Sequence, residues 1–178
     1  MQNVILVDNH DQQIGTCEKL AAHQQGLLHR AFSVFVFRET TDQSLEVLLQ
    51  QRAATKYHSA GLWSNTCCSH PVPGETVLAA AYRRLQEEFG FQVPLTLVGD
   101  FIYKSILENK LIEHEYDHVL IGKYDDQVIQ PNPEEISNYQ WVRVNELIEI
   151  INAQPSHYTT WLKEAFVLAL EHKAKLLD

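Results

Sequence analysis

The sequence predicts an α/β (α+β) domain in which a mixed β-sheet is sandwiched by helices. Three observations carry this expectation. Aromatic and β-branched runs stand at Ala31 to Arg38 and Leu45 to Arg52, the composition of strands. One segment, Glu75 to Phe89, spaces its apolar residues as a helix does and lies between strand-like runs. The remaining helical segments close the chain. Strands leading, one helix embedded and helices last is the order of a sheet with helices packed on it.

Each element has its local reason. Val4 to Val7 is a short apolar run, read as a strand. Cys17 to Gln25 reads as a short helix closed near Gly26. The turn signal Thr41-Asp42-Gln43-Ser44 separates the two long strands. Leu62 to Cys67 is expected as a third, short one. In the Glu75 to Phe89 helix, Val77, Ala80, Ala81 and Leu85 recur on one face. Thr76 is a suitable cap and Gly90 a stop. Leu95 to Ile106, Glu113 to Tyr124 and Tyr139 to Val144 read as strands. Helices follow at Asn145 to Asn152 and, after Gln154-Pro155-Ser156, at Tyr158 to Leu177. No repeat or Pro/Gly/Ser-rich linker divides the chain, so residues 1–178 are expected to form one domain.

Bulk properties exclude some partners. Fourteen Lys and Arg against 23 Asp and Glu leave a formal charge of −9. That argues against wrapping a nucleic-acid backbone, which needs a basic surface. It allows a small anion held by a few local cations. Cys17, Cys67 and Cys68 are an odd number with two adjacent, a poor disulfide framework. The start of the chain lacks a basic, then apolar, leader pattern, and no apolar run has the length of a membrane span. A reducing cytoplasmic setting, no membrane partner and a monomer are the expectation.

The chemistry concentrates in a few segments. Cys67-Cys68-Ser69-His70-Pro71 places a thiol and an imidazole just ahead of the helix. On a strand, Glu113 and Glu115 project from one face and Asp117 continues the row, while His114, Tyr116 and His118 face the other way. This is either a solvated sheet face or a cation site, because paired carboxylates repel unless a cation lies between them. His23, His29 and His70 supply imidazoles, and the mixed N/O set suits a zinc-class ion or manganese. His10, His58, His157 and His172 are read as ordinary surface or core histidines. Cys68 is expected to have a depressed pKa beside His70 and the helix entrance; strand alternation turns Cys67 away. Glu87 and Glu88 oppose the dipole at the helix C-terminus, which a bound divalent cation would offset. Lys19, Arg30, Arg52, Lys56, Arg83 and Arg84 gather near these segments. They are either scattered solubilising charges or a phosphate pocket.

The helix segment resembles a degenerate Nudix box over residues 69–91: Glu75 and Arg83-Arg84-Leu85-Gln86-Glu87-Glu88-Phe89-Gly90 match it, while Ser69 replaces a glycine and Arg84 a glutamate. Asn65-Thr66-Cys67-Cys68-Ser69-His70-Pro71, preceded by Gly61-Leu62-Trp63, resembles the cysteine motif of type 1 isopentenyl diphosphate isomerases. Leu28-His29-Arg30-Ala31-Phe32-Ser33, Glu113-His114-Glu115 and Tyr139-Gln140-Trp141 resemble that family as well. The resemblance implies a Nudix-like fold and reversible conversion of isopentenyl diphosphate to dimethylallyl diphosphate, a step of isoprenoid precursor synthesis. It implies Cys68 and Glu115 as the proton-transfer pair, with Tyr103 bonded to the carboxylate and Trp161 facing the hydrocarbon. It implies His23, His29, His70, Glu113 and Glu115 as ligands of a zinc or manganese ion. The Cys68 carbonyl and Glu88 would hold a magnesium bound to the diphosphate. Lys19, Arg52, Lys56, Ser69 and Arg84 would contact the substrate's diphosphate end. The apolar C-terminal helix is the expected lid. The rival reading is a Nudix-type hydrolase of a nucleoside diphosphate derivative, which should keep the glutamate that Arg84 replaces; a Nudix-like binding module is a third.

Overall fold

The structure is a computed structural model and describes residues 2–176. In chain order its elements are β1 (Asn3–Val7), β2 (Gln13–Glu18), α1 (Lys19–Gln25), β3 (His29–Glu39), β4 (Leu45–Arg52), β5 (Trp63–Ser64), β6 (Cys67–Ser69), α2 (Val77–Phe89), β7 (Leu95–Ile106), β8 (Ile112–Lys123), β9 (Ile136–Arg143), α3 (Val144–Ala153) and α4 (Leu162–Glu171). All nine strands belong to one mixed sheet.

β3 is its axis. One edge runs parallel to β8 from His29 to Phe37, and β8 pairs in turn with β7. The other edge is shared in succession by β1, β6 and β4. Strand alternation sends Phe32, Val34 and Val36 to one face, where they meet Ala81, Leu85 and Phe89 of α2. Phe35 and Phe37 go to the other, against Leu147 of α3 and Phe166 of α4. Full burial of each such large side chain stabilises by about 1.5–3 kcal/mol. The expected mixed sheet between helices is therefore what forms. In α2 the Thr76 hydroxyl accepts from the Ala79 N–H, and Gly90 ends the helix at φ 76°, as the sequence predicts.

Four local expectations need correction. Cys17 and Glu18 belong to β2, and the helix starts at Lys19 with the Glu18 carboxylate accepting from the Ala21 N–H. β2 carries no apolar alternation because it is an exposed edge, with Ile14 68% exposed; backbone pairing to β1 alone defines it. The Leu62 to Cys67 strand is two short strands, β5 and β6. The last helix begins at Leu162, because Tyr158 and Thr159 stay extended and the Thr159 N–H donates to the Trp63 carbonyl at 2.9 Å. It ends at Glu171, a short turn covers Lys173–Leu176, and Leu177 lies outside the described residues. Finally, α4 is no lid. Leu162, Ala165, Phe166 and Ala169 are wholly buried in the core.

Candidate active site

A cavity of about 220 Å³ opens where α1, the loop after β4, β6 and the first residues of β8 converge. The sheet register builds its floor. Glu115 lies opposite His29 on β3 and opposite Tyr103 on β7, so the three side chains share one face. Gly26, at φ 63°, ends α1 against Ile112, where a Cβ would come within 3.1 Å. That close turn brings His23 and His29 together, their ring centroids 4.9 Å apart.

The imidazoles are aimed by backbone carbonyls. A carbonyl only accepts, so Nδ1 of His23 donates to the Lys19 carbonyl and Nδ1 of His29 to the Leu27 carbonyl, both at 2.8 Å. In its neutral form each ring presents a bare Nε2 lone pair inward, the usual orientation of metal-bound histidine. His23 Nε2 is buried with no hydrogen-bond partner. His29 Nε2 lies 3.2 Å from His70 Nε2, and His70 Nε2 lies 2.8 Å from Glu115 Oε1. Donor atoms of His23, His29, His70 and Glu115 all fall within 4.8 Å of one another. Converging lone pairs beside a carboxylate repel in the absence of a cation, so these residues fit a divalent ion. Glu113 stands apart from this foursome and groups instead with His23 and His58.

The two glutamates are driven apart in proton affinity. Burial, reinforced by the charge of Glu115, raises Glu113 well above the usual carboxylate range. Burial acts on Glu115 too, but His29 and His70 beside it outweigh burial and hold it well below that range. The Tyr103 hydroxyl donates to Glu115 Oε2 at 2.6 Å and reaches Glu113 Oε2 at 3.3 Å. Burial lowers His70 to about 3 despite Glu115. The solvated-face alternative for the Glu113 row therefore falls: Glu113, Glu115 and Asp117 are all buried.

Cys68 lines the cavity, while Cys67 is sealed in the core beside α2. The thiol departs from the expected depression. Burial pushes it up to about 12, and the Arg52 guanidinium only partly opposes this. Arg52 Nη1 lies 3.7 Å and Ser64 Oγ 3.8 Å from the sulfur. Trp161 lies just before α4, its ring 6.2 Å from that of Tyr103 and 5.8 Å from the Arg52 guanidinium.

Cations also line the cavity: Lys19, Arg52, Lys56 and Arg84, together with Ser69. Burial, helped by Lys56 and Arg52, lowers Lys19 to about 8. Among the described residues, neither Lys19 nor Arg52 has a carboxylate within ion-pair distance, which leaves both for an anion. Lys56 pairs with Glu135. Arg84 is engaged by three carboxylates, those of Glu87 and Glu88 at 2.7 Å and that of Glu135 at 3.0 Å. Arg30 and Arg83 do not join the wall; Arg30 binds Asp11 and Arg83 binds Glu75. The acids at the end of α2 are offset by Arg84 and not by an open cation site. Glu88 accepts from Arg84 on one oxygen and from the Gln50 amide on the other, which leaves a further lone pair on each.

Some site residues escaped the sequence. His58, read as an ordinary histidine, lines the cavity, with Nδ1 3.5 Å from Glu113 Oε1. Glu135 bridges two of the cavity cations from a loop of otherwise solvated acids. Asn65 stands out in the sequence only as part of a motif; its amide donates to the Cys67 carbonyl and accepts from the Trp161 indole.

Fold and site together define a class. A NUDIX domain matches residues 27–162, and solved structures superpose on the chain: an Ap4A hydrolase from C. elegans does so with a TM-score of 0.58 at 17% identity, covering 83% of this chain and 98% of its own. A Deinococcus radiodurans protein gives a TM-score of 0.74 at 16% identity, over 93% of this chain and 97% of its own. At such identities the likeness concerns the fold. Curated relatives are far nearer in sequence. Isopentenyl-diphosphate Delta-isomerase 2 of Photorhabdus laumondii is 55% identical over 90% of this chain and 88% of its own, and the isopentenyl-diphosphate Delta-isomerase of Burkholderia multivorans is 49% identical over the same shares. The chain belongs to the isopentenyl-diphosphate Delta-isomerase family of NUDIX-domain proteins.

Proposed function

We propose that this chain interconverts isopentenyl diphosphate and dimethylallyl diphosphate. One observation carries the reading: a thiol, Cys68, and a carboxylate, Glu115, line one cavity with the cations Lys19 and Arg52. A proton donor and a proton acceptor thus stand ready beside an anion-binding wall. An unactivated alkene is a weak base, so its protonation needs a well-placed acid. A proton added to the terminal CH₂ leaves a tertiary carbocation. Loss of a proton from the neighbouring CH₂ on the diphosphate side then gives the internal alkene. Cys68 and Glu115 are the pair that exchanges these protons. Tyr103 holds Glu115 in place, and the Trp161 ring offers its face to the cation, an attraction of about 2 kcal/mol when desolvated.

His23, His29, His70 and Glu115, with Glu113 beside them, would hold a zinc or manganese ion. Bound there, the ion supplies positive charge that orients Glu115 and sets its proton affinity. Lys19, Arg52, Lys56, Ser69 and Arg84 meet the diphosphate, which brings its magnesium in as part of the substrate. Glu88 would join that magnesium through the lone pairs its contacts to Arg84 and Gln50 leave. The pairing of Arg84 with Glu87 and Glu88 also favours isomerisation over the hydrolase reading, since it occupies acids that a Nudix hydrolase uses to gather magnesium.

Incubation with isopentenyl diphosphate and magnesium in deuterium oxide tests this. Dimethylallyl diphosphate carrying solvent deuterium in a methyl group is the expected product. Release of phosphate or diphosphate without an isomer would overturn the reading.

A further inference from the structure

Glu135 stands in the loop ahead of β9, outside the cysteine motif, the Glu-x-Glu strand and the helix that follows the thiol. Its carboxylate is divided between two cations of the cavity. Oε1 meets Arg84 Nη2 at 3.0 Å, and Oε2 accepts from Lys56 Nζ. Burial opposes its charge, yet Lys56 and Arg84 outweigh burial and lower its pKa to about 2.

The backbone around Glu135 is tied to the segments that carry these two cations. The Glu135 carbonyl accepts from the Ala53 N–H at 2.9 Å, and the Lys56 N–H closes a turn on the Ala53 carbonyl at 3.1 Å. The Glu135 N–H donates to the Asn132 carbonyl at 3.0 Å, and the Asn132 N–H donates to the Glu88 carbonyl at 2.8 Å, one turn beyond Arg84 on α2. The loop after β4, the loop ahead of β9 and the end of α2 are thus joined through Glu135 by main chain and side chain together.

Both cations keep donors for a ligand. An ammonium has three N–H donors and Glu135 takes one from Lys56, so two remain. Arg84 gives Nη1 to Glu87 and Nη2 to Glu88 and Glu135, which leaves one N–H on Nη1. Both side chains line the cavity. A free lysine chain loses rotamer freedom when it binds an anion; one already held does not lose it again. Removing the Glu135 charge would make the cavity more positive, which favours an anion. It would also release Lys56 and leave Arg84 to the acids of its own helix. Glu135 is partly exposed, so solvent screens the first effect. The second removes the donor directions that phosphate oxygens need, and it outweighs the first.

We propose that Glu135 is a positioning residue for the diphosphate end of the substrate, holding Lys56 and Arg84 side by side on its two oxygens. The inference rests on the isomerase reading for the substrate and on Glu135's own contacts for the role.

Kinetics and calorimetry on the whole protein test it. Both oxygens of Glu135 accept, so in Glu135→Gln the amide turns its NH₂ toward one cation and loses that contact. The KM for isopentenyl diphosphate with magnesium, and the Kd of inorganic diphosphate, should both rise by about tenfold or more, the loss of one charge-assisted hydrogen bond. The kcat at saturation should stay within about threefold. Glu135→Asp keeps the charge but draws it back by one methylene, and it should weaken both constants too. Glu134 is exposed on the same loop and, among the described residues, makes no ion pair; Glu134→Gln removes an equal charge and should leave both constants unchanged. Tighter diphosphate binding by Glu135→Gln would make the carboxylate a competitor of the substrate and overturn the proposal. Unchanged constants in both Glu135 variants, or an equal loss in Glu134→Gln, would overturn it as well. A wild type that binds inorganic diphosphate but forms no isomer would overturn the isomerase reading alone, because the diphosphate Kd tests Glu135 by itself.

Discussion

The Trp161 indole N–H donates to Asn65 Oδ1 at 3.1 Å, and the Asn65 amide donates to the Cys67 carbonyl at 2.7 Å. One buried amide thus ties the aromatic wall of the cavity to the strand that carries Cys68. Ser64 joins the same cluster, its hydroxyl donating to Asn65 Oδ1 at 2.9 Å and meeting Thr159 Oγ1 at 3.1 Å. Asn65→Ala should cost about 1–3 kcal/mol of stability, because it strands buried polar partners. At a temperature where the variant is folded, kcat should fall by roughly tenfold or more, since small misplacements of reacting groups are expensive. KM should change much less. Steady-state kinetics with near-ultraviolet dichroism of the tryptophans checks this; an unchanged kcat would reduce Asn65 to a purely structural link.

Adjacent thiols should behave oppositely. Cys68→Ala removes a proton-transfer group and should lower isomerisation by about 10²–10⁴-fold with little loss of stability. Cys67→Ala leaves a small void beside α2 and should lower the melting temperature while turnover stays near wild type. Equal damage to turnover from both would contradict the assignment of Cys68.

Glu115 and Glu113 differ in contacts and should differ in function. Glu115→Gln keeps an oxygen ligand but loses proton exchange, so kcat should drop far more than substrate or metal affinity. Glu113→Gln should act through the ion, and added metal should partly restore it. Rescue of both variants by metal to the same extent would make Glu115 a ligand alone.

Asp117 is buried, and among the described residues its carboxylate's only hydrogen bond comes from the Ser33 hydroxyl, which donates to Oδ2 at 2.7 Å. Burial, and next the charge of Glu115, hold its folded pKa well above the usual carboxylate range. In the unfolded chain it ionises near 3.9. The folded state therefore binds the proton more tightly, and the stability Asp117 contributes is complete below that pH and lost as pH rises toward the folded pKa. Asp117→Asn removes the ionisation and keeps the shape. It should raise the denaturation midpoint at pH 7–8 and leave it nearly unchanged at pH 4. A variant less stable than wild type at pH 8 would show that Asp117 is a charged, compensated group.

Much of this protein is legible in local sequence because backbone periodicity is local. Alternation along a strand is enough to separate Cys67 from Cys68 and to put Glu113, Glu115 and Asp117 on one face. Helical spacing, Thr76 and Gly90 delimit α2 without reference to any distant residue. The motif at residues 65–71 identifies the family before any coordinate is drawn. Tertiary structure decided the rest, because it depends on groups far apart in the chain. Arg84 is neutralised partly by Glu135, and Lys56 meets the same carboxylate 79 positions away. Cys68 is raised and not lowered because enclosure outweighs its nearby cation, and enclosure is not a property of neighbours in sequence. α4 is core and not lid because Phe166 packs on Phe35 of β3. His58 reaches Glu113 only because the loop after β4 folds back over β8. Residue types and local spacing determined which chemistry the chain can carry; burial and long-range proximity determined which charges are held in ion pairs, which thiol lines the cavity and which imidazoles face the two glutamates.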